Sequence, residues 1–334
     1  MRPSALVDVS HVDASIELFG RRHPLPLVIA PTGLNGLFWP DGDLALARAA
    51  AAANIPFAMS SASNARLERI PMETGGVNWF QLYVMGDRKT AERMMTRARG
   101  SGYTALMLTV DVPVSGYRQR DLNNGFMLPF KLKPGLALDV ALHPRWLTGL
   151  MRGGMPNFVN LADADSGETS IEAQAALLSR SLDPSLIWEN LSWIRRHWPG
   201  TLLLKGILNP DDARLAEAHG VDGLIVSNHG GRQLDAAQAS IEILPEIIAA
   251  VGDRLPVLVD SGFRRGTDIV KALALGAWAV LLGRATLYGL AADGERGVTA
   301  VLQLLAEDIT RTLALMGTPG VGQLTPARVI RPWR

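Results

Sequence analysis

The segment Ser227–Asp235, SNHGGRQLD, places a histidine, two glycines and an arginine directly after a run of buried-strand character. His229 can take up a proton near neutral pH, and the planar fork of Arg232 can hold a carboxylate through two parallel contacts. The glycines between them let main chain approach a planar ligand. A solvent-facing histidine in a turn before a helix is the plain structural reading. Arg232 lies three residues on and a strand end comes just before, which favours catalysis. The other histidines are bland: His197 and His219 fall near helix ends, and His11, His23 and His143 in polar, loop-like surroundings. Asp111, closing LMLTVD, suits an orienting role, because an imidazole that must become imidazolium gains from a buried carboxylate on its other nitrogen. Capping a helix is its alternative.

A second constellation lies in VDSGFRRGTD and LLGRA, where Ser261, Gly262 and Arg264 close one strand and Gly283 and Arg284 the next. Main-chain N–H groups beside glycine and two guanidiniums would neutralise a phosphate dianion. The chain has no cysteine, which excludes disulfides, thiolate zinc sites, iron–sulfur clusters and a cysteine nucleophile. Redox chemistry would therefore need an organic cofactor, and flavin mononucleotide (FMN) suits a phosphate site; a sugar phosphate is the competing ligand. Lys205, in LLLKGI, would sit beside the flavin N1 and C2 carbonyl, where the reduced ring carries negative charge. Alternatively it is the Schiff-base lysine of an aldolase-like barrel.

These residues share one feature, their place at the end of an apolar run. Eight such runs recur: 25–31, 57–61, 79–84, 105–111, 202–207, 223–228, 256–260 and 279–283. Each is too continuously apolar for a half-exposed strand, and Ala- and Leu-rich helical stretches such as 43–53, 87–100, 210–219 and 267–275 lie between them. Eight β-then-α units predict an α/β fold, a TIM (β/α)8 barrel, whose carboxyl strand ends meet on one face. An open doubly wound sheet would scatter the same polar residues along a line. Such barrels need about 250 residues, so the excess is expected as an insertion over about 116–190, between strands 4 and 5. Within it, 135–158 mixes apolar residues, Trp146, Arg145 and Arg152, a composition suited to lying on a membrane; an active-site lid or packing against another subunit are its alternatives.

Hydrophobic residues make up 48% of the 334, enough for a full core, and no low-complexity linker divides the chain, so 1–334 is expected to form a single domain. A net charge of +1 removes the electrostatic case for nucleic acid. The amino terminus lacks the pattern of a secretory signal, and no apolar run is long enough to span a bilayer, so the cytoplasm is the default location.

SNHGGRQLD, DSGFRRGTD and ALALGAWAVLLGRA, with WFQLYV and LTVDVPVSGYRQRD, together resemble the FMN-dependent L-2-hydroxy-acid oxidases and dehydrogenases over nearly the whole chain. PTGLNGLFWPDGDLALARAA, SSASN and HPRW are most similar to the bacterial (S)-mandelate dehydrogenases, with the membrane-bound L-lactate dehydrogenases next. The resemblance implies that Pro31, Thr32 and Gly33 lie against the flavin and that Ser60, Gln81, Thr109 and Lys205 supply its polar contacts. It assigns the phosphate to Asp260, Ser261, Gly262, Phe263 and Arg264, with Gly283 and Arg284. Tyr83, Arg118 and Arg232 would hold the 2-hydroxy acid and His229 would be the base, giving a 2-oxo acid by hydride transfer to flavin N5. A small residue at Gly33 is compatible with a phenyl-bearing substrate. The resemblance further implies a homotetramer, bilayer docking through the insertion on the cytoplasmic side of the inner membrane, and quinone as electron acceptor, with oxygen the acceptor of a soluble form. Relatives carry an amino-terminal arm with a substrate-binding tyrosine that has no counterpart here, so carboxylate binding is expected to rest on Tyr83, Arg118 and Arg232.

Overall fold

The structure, a computed structural model, describes residues 1–124, 134–153, 157–160 and 182–330. A hairpin of β1 (Ile16–Leu18) and β2 (Arg21–His23) comes first. Each of the eight apolar runs then becomes a strand: β3 (Leu27–Ile29), β4 (Phe57–Ser60), β5 (Asn78–Leu82), β6 (Ala105–Thr109), β7 (Thr201–Ile207), β8 (Gly223–Val226), β9 (Val257–Val259) and β10 (Val280–Leu282). Neighbours pair in parallel, and β10 closes on both β9 and β3, so the barrel is complete and the open-sheet alternative falls.

The continuous apolarity of the runs has a simple cause. Alternate residues of one strand enter two different cores. Val28, Trp79, Met107, Leu203, Ile225 and Leu281 belong to a small cluster of strand residues filling the barrel. Their neighbours, such as Ile29, Phe80, Leu106 and Leu204, belong to the larger core shared with the helices. The hairpin is an element that the sequence reading did not single out. Phe19 (φ 48°) and Gly20 (φ 74°) both adopt the left-handed conformation that a tight two-residue hairpin turn requires. That turn sends Leu18 into the barrel cluster and sets the Phe19 ring edge-on to Trp79, 5.8 Å between centroids. The hairpin plugs one end, which leaves the carboxyl ends of the strands as the open mouth.

Helices run over Gly42–Ala52, Arg88–Gly100, Pro210–Ala218 and Gly266–Ala274, within a residue or so of expectation. Asp87 and Asn209 cap two of them, accepting from the main-chain N–H of Lys89 and Asp211. The final helix, Arg284–Leu315, breaks at Asp293 and Gly294, where the Trp39 indole takes the space a side chain at 294 would need.

Of the insertion, Pro134–Leu142 and Pro144–Gly153 are helical. The Trp146 indole donates to the Leu37 carbonyl at 2.6 Å, and Asn160 bridges the Ala65 carbonyl and the Leu67 N–H. The segment is thereby docked on the loops after β3 and β4. Residues 125–133, 154–156 and 161–181 of the expected insertion lie outside the described residues. Among the described residues, no helix is long and apolar enough to cross a membrane.

Candidate active site

Loops leaving the strand ends bring the expected residues to one mouth. β8 ends at Val226, Ser227 is fully buried, and the chain then turns through His229, Gly230 and Gly231 with φ of 58°, 69° and 71°. A left-handed histidine is costly, and the turn is held by the His229 N–H on Ser227 Oγ at 3.0 Å and the Gly231 N–H on the Asn228 carbonyl at 2.9 Å. The ring is thus aimed back over the barrel. Its Nδ1 lies 3.1 Å from both carboxylate oxygens of Asp111, and its Nε2 lies 3.4 Å from the Tyr83 hydroxyl. The orienting role read for Asp111 has its contact, and the helix-cap alternative does not describe it. Burial pushes the Tyr83 phenol up to about 12, so it is a protonated donor at working pH.

The expected substrate residues flank this pair. Arg232 ion-pairs with Asp121 at 2.9 Å, and Arg118, held below its usual range by burial and by the charge of Arg232, shares the same locale. Two guanidiniums facing one carboxylate leave a net positive site for an anion. Asp121 was absent from the sequence reading. Its only signal was its place in the YRQRD run.

Deeper in the mouth, a hydrogen-bonded row crosses three strands. Ser60 donates to Gln81 Oε1 at 2.9 Å, and Gln81 Nε2 donates to Thr109 Oγ1 at 2.9 Å. Lys205 donates to Ser227 Oγ at 2.8 Å and pairs with Asp260 at 2.9 Å, all of it buried. Burial alone would discharge both groups, but each holds the other charged: Lys205 stands above its usual range and Asp260 below its own. A Schiff-base nucleophile needs a free amine, so the aldolase-like alternative for Lys205 falls.

At the β9 and β10 ends, Ser261 (φ 82°) and Gly262 (φ 90°) carry the chain outward. A Cβ on Gly262 would meet nothing within 4 Å, and one on Gly283 only Thr32 and Ala30 at 3.9 and 4.0 Å. Open space therefore stands before two glycines on adjacent strands, with the uncapped start of the final helix at Arg284 beside it. These residues fit an anionic phosphate. Arg284 donates to the Gly230 carbonyl at 2.8 Å, linking this place to the histidine turn. Of the rest of the expected set, Phe263 is buried in the helix-facing core, Asp260 pairs with Lys205, and the Arg264 main-chain N–H is taken by Asp268, a contact that does not involve its guanidinium.

Two further features come only from the folded chain. Asp43, read merely as a helix start, is buried and accepts from Asn35 Nδ2, Ser63 Oγ and the Asn64 and Ala65 N–H groups. Because Asn35 also holds Thr32, this carboxyl ties the Pro31–Thr32–Gly33 turn to the loop after β4. Gly33 has its own structural reason, since a Cβ there would lie 3.1 Å from the Ala62 Cβ and 3.2 Å from its carbonyl oxygen. Close loop packing explains that glycine without a substrate.

With a Schiff-base role for Lys205 set aside, the closed barrel and a mouth that fits an anionic phosphate suit an oxidoreductase whose redox group comes from a bound phosphate cofactor. The chain belongs to the FMN-dependent dehydrogenase family, whose family model matches residues 1–331. It is 54% identical over 325 residues to the (S)-mandelate dehydrogenase of Pseudomonas putida, covering 97% of this chain and 81% of that protein. An L-lactate dehydrogenase of Alcaligenes faecalis is 41% identical over 332 residues, covering 99% of this chain and 87% of its own. Among solved structures, the monotopic membrane protein (S)-mandelate dehydrogenase matches with a TM-score of 0.95 and 52% identity, over 99% of this chain and 87% of that one. A mandelate oxidase variant with (S)-mandelic acid matches with a TM-score of 0.80 and 38% identity, over 97% of this chain and 84% of that one.

Proposed function

We propose that this FMN-dependent enzyme oxidises (S)-mandelate to phenylglyoxylate, as one of the (S)-2-hydroxy acids. The observation that carries the reaction is the His229–Asp111 contact facing Tyr83 at the barrel mouth; the similarity to the Pseudomonas putida enzyme supports the choice of acid. Bound FMN supplies a two-electron acceptor for the α-hydrogen. Its phosphate would lie against Asp260, Ser261, Gly262, Phe263 and Arg264 and against Gly283 and Arg284, its ring against Pro31, Thr32 and Gly33, and its polar edge on Ser60, Gln81, Thr109 and Lys205. Arg232, with Arg118, binds the carboxylate of the acid, exchanging part of its contact with Asp121. His229 takes the hydroxyl proton on Nε2, and Asp111 on Nδ1 fixes the ring and offsets the new charge. Tyr83, protonated until about pH 12, donates to the substrate.

L-lactate is the second reading, supported by the 41% identical relative. Anaerobic spectra of the purified protein with (S)-mandelate, (R)-mandelate and L-lactate test both. Bleaching of the flavin band by (S)-mandelate first and fastest is the expected result. Bleaching by L-lactate alone transfers the assignment, and a flavin that no acid bleaches ends the dehydrogenase reading.

Two variants probe the binding groups. Tyr83→Phe removes a hydrogen bond to a charged group, worth about 1.5–3 kcal/mol, and should slow bleaching by about one to two decades. Arg284→Ala should shed flavin on dilution, read as loss of yellow colour after gel filtration, while the apoprotein keeps its far-ultraviolet dichroism.

The same reading makes the whole chain one domain and 135–158 the segment that contacts the bilayer. Leu138, Leu142 and Met151 are 63%, 69% and 76% exposed there, on the two docked helices. The enzyme would then be a homotetramer peripheral to the cytoplasmic face of the inner membrane, passing electrons to quinone. Co-sedimentation with anionic vesicles and reduction of a quinone analogue are the checks.

A further inference from the structure

We infer that Gly206 and Gln233 are positioning residues that set Asp111, and through it the proton-accepting ring of His229; the inference rests on the acid–base reading above.

Three observations converge on Asp111. β7 pairs with β8 through Lys205 and Ile207 but skips Gly206, so one residue bulges from the ladder next to the buried lysine. Its φ of 109° is open to glycine and strained for any other residue. A Cβ at 206 would lie 2.6 Å from Asp111 Cβ and 2.7 Å from its carboxyl carbon. The space vacated by the missing side chain is therefore the space that the Asp111 side chain fills.

Gln233 acts on the main chain of the same residue. Its Nε2 donates to the main-chain carbonyls of Asp111 at 3.3 Å and Val114 at 3.2 Å, and its Oε1 accepts from the Gly116 N–H at 3.3 Å. The two loops meet main chain to main chain, since a Cβ on Gly116 would lie 2.5 Å from the Arg232 carbonyl oxygen. Gln233 follows Arg232 directly, so the loop bearing the carboxylate and the loop bearing the base and the substrate arginine are held in one register. The Val110 N–H on the Lys205 carbonyl, at 2.9 Å, completes the frame from the strand side. Neither residue reaches the reacting atoms; both act by fixing the carboxylate that orients the base.

The test uses the FMN-loaded enzyme with Gly206→Ala, Gln233→Met and Asp111→Asn, singly and in pairs. Methionine keeps the length of glutamine and removes its three hydrogen bonds. Misplacement by about an ångström costs up to about 10²-fold in rate, so each single variant should slow (S)-mandelate reduction of the flavin by about 10- to 100-fold. Flavin content should hold within about threefold in Gln233→Met, because the residues proposed to face the flavin are untouched. In the Asp111→Asn background the further loss should shrink to under about threefold, since residues acting through one another are not additive. Losses that multiply in that background, or a Gln233→Met enzyme at the parent rate, overturn the inference. If Gly206→Ala does not fold, Gln233→Met carries the same cycle alone. A readout free of turnover separates this from failure of the reaction itself: the downfield Nδ1–H proton resonance of His229, present in the parent and absent from Asp111→Asn, should move or broaden in both variants. If that resonance is unchanged in both, the positioning role is wrong whatever the substrate; if it changes while no 2-hydroxy acid bleaches the parent flavin, the proposed reaction is wrong and the positioning stands.

Discussion

His229→Asn should leave the protein yellow and remove its reduction by 2-hydroxy acids. Asparagine is the informative replacement because residue 229 sits at φ 58°, a conformation asparagine tolerates far better than alanine. The turn, with its main-chain bonds to Ser227 and Asn228, should therefore survive. What disappears is the nitrogen that accepts the hydroxyl proton. General-base assistance is worth about 10²- to 10⁴-fold, or about 3–5 kcal/mol of barrel-mouth catalysis. Stopped-flow absorbance under anaerobic conditions reads the loss directly. Flavin content should match the parent, since no cofactor-facing side chain has changed. A parent-like rate in His229→Asn would remove the base assignment and leave solvent to take the proton.

Lys205→Met should be the most destabilising single change at the site. The lysine and Asp260 are both buried and hold each other ionised. Removing the cation leaves a carboxylate with Ser227 and Ser261 as its neighbours, and breaking such a pair costs about 3–5 kcal/mol. The pH dependence should also invert. In the parent, the folded Asp260 ionises below its unfolded value, so the stabilisation is present above about pH 4 and is lost as pH falls through the lower folded value. Lys205 stands above its unfolded value, so its share is present below about pH 10 and is lost as pH rises through the higher folded value. In Lys205→Met, burial acts on Asp260 without a cation and favours the protonated acid, so stability should rise as pH falls from 7 toward 5. Urea midpoints at three pH values measure this. A variant with parent-like midpoints at pH 7 would mean that solvent reaches Asp260. Loss of flavin should accompany the loss of stability, because Lys205, beside Thr109 in the β6–β7 register, belongs to the set proposed for the polar edge of the flavin.

Much of this was legible before folding because barrels write themselves into sequence at short range. Each strand is one apolar run, polar residues lie at or beside the end of nearly every run, and β10 closes on β3 without any further signal being needed. Ser227 to Arg232 could be read as a site from residue types alone, since a base, two glycines and a guanidinium after a strand serve few structural purposes together. Less was legible where a residue acts across the barrel. Asp121 lies 111 residues from Arg232, and Gln233 lies 122 from Asp111. Such pairs leave no spacing to detect. Asp43 looked like an ordinary helix start, and only the arrival of Asn35, Ser63, Asn64 and Ala65 around it makes it a loop tie.

Glycines divide along the same line. Gly230 and Gly231 were recognisable as a close-approach turn, whereas Gly33 and Gly206 are explained by neighbours distant in the chain, Ala62 and Asp111. From sequence alone came the barrel, the absence of thiol chemistry, the candidates proposed as base and orienting carboxylate, and the family resemblance, all properties of local pattern and composition. Tertiary structure alone decided that Lys205 is a held cation, that Arg232 rests on Asp121, that the hairpin plugs the far end and that Asp111 has a slot made for it. The physical reason is that charge state and side-chain placement depend on burial and on contacts between distant loops, and those exist only once the barrel has closed.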